Sequence, residues 1–218
     1  MEGRYLRQLD WYDPIKHDVS VTVVGAGGIG GPSVLALAKL GVTKLRVFDF
    51  DTVEAHNQPN QIYGGADVGE QKVYALKSVV DRLADSRIRV VCRRMRPSDI
   101  LSGIVIAAVD SIPARGMIWE TVKKNAARVP LYIDGRIGGQ VIRVLSVRPR
   151  MRRDSASYEE TLVPEYKVAP LKCTAAGIID VSFVVSALIC RAFRLWVTDK
   201  ERIGDLFYDH RNLKFLKG

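Results

Sequence analysis

The run Val19-Ser20-Val21-Thr22-Val23-Val24 leads without a spacer into Gly25-Ala26-Gly27-Gly28-Ile29-Gly30. A β-branched run of this length reads as a buried strand. From 33 to 40, Val34, Leu37 and Leu40 fall on one helical face before Gly41 stops the pattern. Strand, glycine turn and helix in direct succession allow backbone amides to approach a phosphate closely, and the helix N-terminus complements its charge. Close packing of a helix on a sheet also selects small residues, so the glycines alone do not decide between a nucleotide site and a structural turn. The uncharged stretch 19–38 is long enough to raise the question of a membrane span. Its glycines and Pro32 divide it into two differently patterned halves, and no membrane span is predicted.

Downstream, apolar runs of strand length alternate with stretches of helical period. This is the pattern of an α/β, Rossmann-like, mostly parallel sheet with flanking helices. Residues 44–51 form the second strand. A helix over 70–84 places Val73, Leu76, Val80 and Leu83 on its apolar stripe and leaves Lys72 and Lys77 off it. Ile88, Val90 and Cys92 alternate with arginines in a third strand. Residues 103–109 make a fourth, ending in Asp110, and Pro113 suits the first turn of a helix reaching about 127. Residues 131–134 make a fifth strand, and 139–147 continue the sheet in antiparallel sense. The division is an N-terminal arm (1–18), a nucleotide-binding core (19–147), a mobile crossover loop (148–172) and a C-terminal helix and strand (173–218), all in one domain. The loop is predicted from its arginines, its three prolines and its lack of apolar periodicity. The helix covers 174–197, with a possible break near Asp180, and 206–216 closes the chain as a strand or extended tail.

Composition narrows the function classes. In 218 residues, 33 Lys+Arg against 24 Asp+Glu give a net charge of +9, which favours acidic partners. The arginines around Arg150 lack the interleaved aromatics of a single-strand platform, so nucleic acid is not the expected partner. Three cysteines, Cys92, Cys173 and Cys190, form no C-x-x-C pair, so neither a disulfide framework nor a structural zinc is expected. The start of the chain lacks the apolar run of a signal peptide, and the expected location is the cytoplasm. His17, His56 and His210 show no ligand or triad spacing.

Asp49 ends the second strand about twenty residues after the glycine turn, where a carboxylate can accept hydrogen bonds from ribose hydroxyls. A nicotinamide dehydrogenase has the same arrangement. Beyond Asp49 the sequence reads Asp49-Phe50-Asp51-Thr52-Val53, then Asn57 and Gln61, then Val68-Gly69-Glu70-Gln71-Lys72-Val73. This combination resembles the ATP-dependent adenylyltransferases of the ThiF/MoeB/HesA type, prokaryotic relatives of ubiquitin-activating enzymes. The resemblance spans almost the whole chain. Arg4-Tyr5-Leu6-Arg7-Gln8 is similar to the family's R-Y-x-R-Q opening, and Asp110 followed by Arg115 to its D-x-x-x-x-R segment. Gly135 to Gln140 is similar to G-x-x-x-G-Q, Lys172-Cys173-Thr174-Ala175-Ala176-Gly177 to the cysteine segment before the last long helix, and Phe207-Tyr208-Asp209 to the closing strand.

The resemblance implies activation of the C-terminal glycine carboxylate of a small ubiquitin-fold or sulfur-carrier protein ending in Gly-Gly, as an acyl-adenylate, with release of pyrophosphate. It implies ATP and Mg²⁺ as cofactors. Gly25, Gly27, Gly28, Gly30, Asp49, Asp51, Asn57 and Gln61 match nucleotide-binding positions. Lys72 matches a lysine on the triphosphate, and Asp110 the aspartate associated with Mg²⁺. Arg7 matches an arginine that reaches the phosphates from a neighbouring subunit, so a homodimer is expected. Cys173, at the N-terminal edge of a helix where a thiolate is favoured, matches a cysteine that enters covalent carrier chemistry in some members. The zinc-binding cysteine pairs of the family are absent. So is the arginine usually found before the glutamine, where Asn57-Gln58-Pro59-Asn60-Gln61 puts the neutral Asn60. A catalytically weak scaffold or partner subunit is the alternative this departure leaves open.

Overall fold

The computed structural model describes residues 3–163 and 177–217. Strands β1 (Ser20–Val24), β2 (Lys44–Asp49), β3 (Arg89–Cys92), β4 (Ile104–Ala107), β5 (Tyr132–Gly138), β6 (Val141–Val147), β7 (Asp205–Asp209) and β8 (Lys214–Lys217) form one sheet in the order β3-β2-β1-β4-β5-β6-β7-β8. The first five pair in parallel and the last three add in antiparallel sense. The expected Rossmann-like α/β architecture with antiparallel C-terminal strands is the observed one. After β3 the chain returns to the far side of β1 to place β4. This reversal opens a crevice beyond the carboxyl ends of the strands.

Helices α1 (Gly30–Leu40), α2 (Lys72–Ala84), α3 (Ile112–Lys124), α4 (Arg152–Glu159) and α5 (Ile179–Asp199) cover both faces. Alternation along the strands sends Val21 and Val23, with Val47, Ile104, Ile106 and Ile133, into one core with α1, α2 and α5. Val24, Phe48, Val105, Ala107 and Tyr132 enter the other with α3 and α4. Gly41 ends α1 in the left-handed conformation at φ 104°, donating its N–H to the Ala38 and Leu37 carbonyls. Ser111 caps α3 by accepting the Ala114 N–H, and Pro113 sits in its first turn.

Several sequence expectations are corrected. Residues 152–159, predicted as loop, form α4. This helix has only eight residues and is marginal alone, but Tyr158 buries its ring against Trp119 (4.8 Å between centroids) and Tyr132 (5.2 Å). Such aromatic pairs contribute ~0.5–1.5 kcal/mol each beyond burial. Asp154, 6% exposed, ties the same helix to Arg148 and Arg202. Residues 148–151 and 160–163 of the predicted loop lie outside regular elements, and 164–172 lie outside the described residues. The last helix begins at Ile179, with Asp180 in its first turn rather than at a break, because a carboxylate there complements the helix dipole. β5 runs on to Gly138, paired throughout with β6, and the C-terminal tail is a β7–β8 hairpin. On α2, Leu83 is 47% exposed while Lys72 is 8% exposed, the reverse of the predicted stripe. Cys92, which alternates with arginines in the predicted third strand, is exposed on the edge strand β3.

α5 is apolar and long enough, at 21 residues, to cross a membrane. Its Val181, Val185, Ile189, Ala192 and Phe193 are fully buried against α1 and the sheet, so its hydrophobicity serves the core.

Candidate active site

A crevice of ≈ 900 Å³ lies beyond the ends of β1, β2 and β4. Its lining includes Gly27 and Gly28 leading into α1, Lys72 opening α2, Ser111, Pro113, Ala114 and Arg115 opening α3, and Gly177 and Ser182 at the start of α5. Four helix N-termini therefore meet it, each carrying a partial positive charge of about half a unit.

The glycines divide into two jobs. Gly25 (φ 101°) lies against the Ala108 carbonyl and Gly30 against the Gly25 carbonyl, so neither position has room for a Cβ, and both serve close helix-to-sheet packing. Gly27 and Gly28 line the crevice, and at Gly27 the nearest atom to an added Cβ is Gln61 Nε2 at 3.9 Å. The turn is fixed from behind. The Ala26 N–H donates to Asp49 Oδ2 at 2.6 Å, and the Tyr63 hydroxyl donates to the Ala26 carbonyl at 2.5 Å. Burial pushes the Tyr63 phenol well above its ordinary range.

Asp49, expected to take ribose hydroxyls, is largely committed elsewhere. It accepts the Ala26 and Asp51 N–H groups, the latter at 2.8 Å, and burial raises its pKa against the lowering effect of those two bonds. The carboxylate left open to the crevice at this corner is Asp51. Lys72 Nζ pairs with Asp51 Oδ2 at 3.1 Å, the lysine side chain 10% exposed and the aspartate 47%. A buried ammonium with three donors and one described carboxylate partner keeps donors available toward the crevice.

Asn57 is not brought into the crevice. Its side chain folds back to accept the Glu54 N–H at 3.1 Å, closing the 3-10 turn Ala55–Asn60. Asn60 and Gln61 are brought in, and among the described residues Asn60 Oδ1 and Gln61 Oε1 are buried without a hydrogen-bond partner. Such orphaned acceptors cost about 1–3 kcal/mol each and suit a ligand with donors or a cation.

Asp110 stands exposed at the end of β4, on the crevice wall. Arg115, 4% exposed, lies beside it and donates to Asp134 and to the Val109 carbonyl. No cluster of three or more His, Cys, Asp or Glu occurs among the described residues. Mg²⁺ does not need one, because it binds through one or two carboxylates together with substrate phosphates and water. Asp110 fits that chemistry.

Arg7 lies exposed in the 3-10 turn Leu6–Gln8 and does not line the crevice of its own chain. Cys173 lies outside the described residues. Cys190 packs against the core, where burial raises its thiol to about 11.

Sequence reasoning missed three contributors. Arg94 lies over the Phe50 ring at 4.1 Å on the crevice wall and has no carboxylate partner among the described residues. Its position just past the end of a parallel strand next to β2 was the available signal. Arg93 is held by Asp99 at 2.6 and 2.9 Å. Ser182 donates to the Asn60 carbonyl at 3.2 Å, a contact across 122 residues that no local pattern announces.

Known proteins resemble this chain in sequence and in fold. The adenylyltransferase and sulfurtransferase MOCS3-1 of Zea mays is 41% identical over 109 residues, which are 45% of this chain and 23% of that protein. This chain thus spans about a quarter of that relative's length. The SAMP-activating enzyme E1 of Haloferax volcanii is 27% identical over 208 residues, 89% of this chain and 74% of that enzyme. E. coli MccB, solved with ATP, superposes with a TM-score of 0.76 at 16% identity, covering 99% of this chain and 71% of MccB, a likeness of fold. Residues 11–202 match the ThiF family, and the chain belongs to it.

Proposed function

We propose that this protein catalyses ATP-dependent adenylation of a carboxylate, the C-terminal glycine of a small ubiquitin-fold or sulfur-carrier protein, with release of pyrophosphate. The observation that carries this assignment is the convergence of the open Gly27-Gly28 turn, buried Lys72 and Asp110 on one crevice ringed by helix N-termini. The names of the relatives, an adenylyltransferase and a SAMP-activating E1, support it.

In the reaction a carboxylate oxygen attacks the α-phosphorus of ATP. An acyl–phosphate bond forms, the bond to the bridging oxygen breaks, and the electron pair leaves with pyrophosphate. Both reactants are anions, so the work is charge neutralisation and in-line positioning. The Gly27 and Gly28 amides and the N-terminus of α1 receive phosphate oxygens, and Lys72 donates to the same charge. Asp51 takes the ribose hydroxyls, while Asp49 holds the glycine turn and Asp51 in place. Asp110 would hold Mg²⁺, and a bound Mg²⁺ would supply Lewis-acid charge. Asn60 and Gln61 turn their unpaired acceptors to donors of the incoming substrate. Arg7 of a second copy completes the phosphate site in a homodimer, as the family resemblance implies, and the +9 charge suits an acidic carrier. The compartment consistent with this chemistry is the cytoplasm.

The test is ATP–pyrophosphate exchange with candidate ubiquitin-fold carriers ending in Gly-Gly, with mass spectrometry for a carrier-adenylate. Exchange that depends on the carrier is the expected result. A second possibility, a nucleotide-binding scaffold or inactive partner subunit, is favoured by Asn60. It predicts ATP binding without exchange, and exchange that appears in Asn60→Arg. Protein that binds NAD in preference to Mg-ATP would refute both.

A further inference from the structure

Asp134 is fully buried at the point where β5 passes the crevice wall, and it accepts from three side chains. Arg115 donates to Oδ1; Arg136 Nε and the Tyr158 hydroxyl donate to Oδ2 at 2.8 and 2.9 Å. Because the Tyr158 hydrogen goes to Asp134, Tyr132 is the donor in the 3.0 Å contact between the two phenols. Arg136 also donates to the Thr161 carbonyl at 3.0 Å and to its hydroxyl at 2.9 Å. The side chains of Arg115 and Arg136 are 5% and 14% exposed, so two guanidinium groups and one carboxylate are packed out of water. Such a cluster carries one unbalanced positive charge, which is costly unless an anion stands nearby. Of the two arginines, Arg115 belongs to the crevice lining and Arg136 does not.

Resting on the ATP assignment above, we propose that Asp134 is a positioning residue for nucleotide and metal binding. It orients Arg115, whose second donor holds the Val109 carbonyl and so fixes the backbone from which Asp110 projects. Asp134 touches neither nucleotide nor metal and acts through Arg115.

The test is calorimetric titration of the full chain with ATP, once with excess Mg²⁺ and once with EDTA, for wild type, Asp134→Asn and Tyr158→Phe. The ratio of the two dissociation constants measures how far the metal helps binding. A merely structural role would lower stability or the number of binding-competent molecules and leave that ratio unchanged. The expected result for Asp134→Asn is a fall of about tenfold or more in Mg-ATP affinity, the scale of one charged hydrogen bond, with a reduced metal ratio. For Tyr158→Phe, which keeps the carboxylate, the ratio moves the same way by about two- to threefold, since a single neutral hydrogen bond is lost. Folded Asp134→Asn with wild-type constants and ratio overturns the inference. If Asp134→Asn does not fold, an unchanged ratio in Tyr158→Phe overturns it. Wild-type protein that binds no ATP overturns the proposed function and this inference with it.

Discussion

Gly25 and Gly27 stand two residues apart in one turn, yet they should fail in opposite ways when given a methyl group. At Gly25, φ is 101° and an added Cβ lies 2.8 Å from the Ala108 carbonyl carbon, with the carbonyl oxygen closer still. A left-handed conformation costs an L-residue ~1–2 kcal/mol. Overpacking against backbone that cannot rotate away adds ~1–3 kcal/mol. Gly25→Ala should therefore lose ~2–5 kcal/mol, a large part of an ordinary stability of ~5–15 kcal/mol. At Gly27 nothing lies nearer than 3.9 Å, so Gly27→Ala should unfold within ~0.5 kcal/mol of wild type. Its methyl group occupies the approach to the turn amides, and loss of a charge-assisted hydrogen bond at ~1.5–3 kcal/mol should weaken Mg-ATP binding ~10- to 100-fold. Urea unfolding and ATP titration of both variants measure the two quantities separately. A Gly27→Ala protein as unstable as Gly25→Ala, or one that binds ATP like wild type, would refute the division between packing and ligand glycines.

Lys72→Gln removes the buried ammonium beside Asp51 while keeping a donor, and exchange activity should fall about 10²- to 10³-fold, as for loss of one preorganised charge-stabilising group. Asp154 yields a pH prediction. Burial alone would raise its carboxyl, but hydrogen bonds from the Arg148 side chain and backbone, with the charge of Arg202, hold it below the ordinary value. Its pKa is lower in the folded chain, so its stabilisation is present above the unfolded value of about 4 and is lost as pH falls through the folded one. Asp154→Asn should accordingly show a shallower drop in urea midpoint on acidification than wild type, and equal slopes would contradict the pairing. Carrier association should slow as ionic strength rises from about 50 to 300 mM, measured by stopped-flow mixing, because the net charge of +9 accelerates encounter with an acidic partner.

The fold was legible because its determinants are local. Val19 to Gly30 announces strand, turn and helix by composition alone, and the recurrence of apolar runs and helical stripes implies a parallel sheet. Residue types also indicated where chemistry would gather: the glycine turn, Asp51, Gln61, Lys72 and Asp110 all line or border one crevice. What each residue does there depends on partners far away in sequence. Asp49 and Asp51 look equivalent in the chain, but a backbone amide 23 positions back turns the first inward and leaves the second open. Lys72 is off the apolar stripe of its helix, yet the loop carrying Asp51 and Tyr63 buries it. Asn57 fits the motif and is spent on closing its own turn. α4 is too short and too polar to be recognised by periodicity, and it exists because Trp119, Tyr132, Arg148 and Arg202 receive it. Periodicity and turn chemistry act within about one helical turn, so the sequence alone determines the elements and their order. Charge pairing, burial and hydrogen-bond commitment act through space, so only the tertiary structure decides which carboxylate is open, which cation is buried and which acceptors remain unpaired.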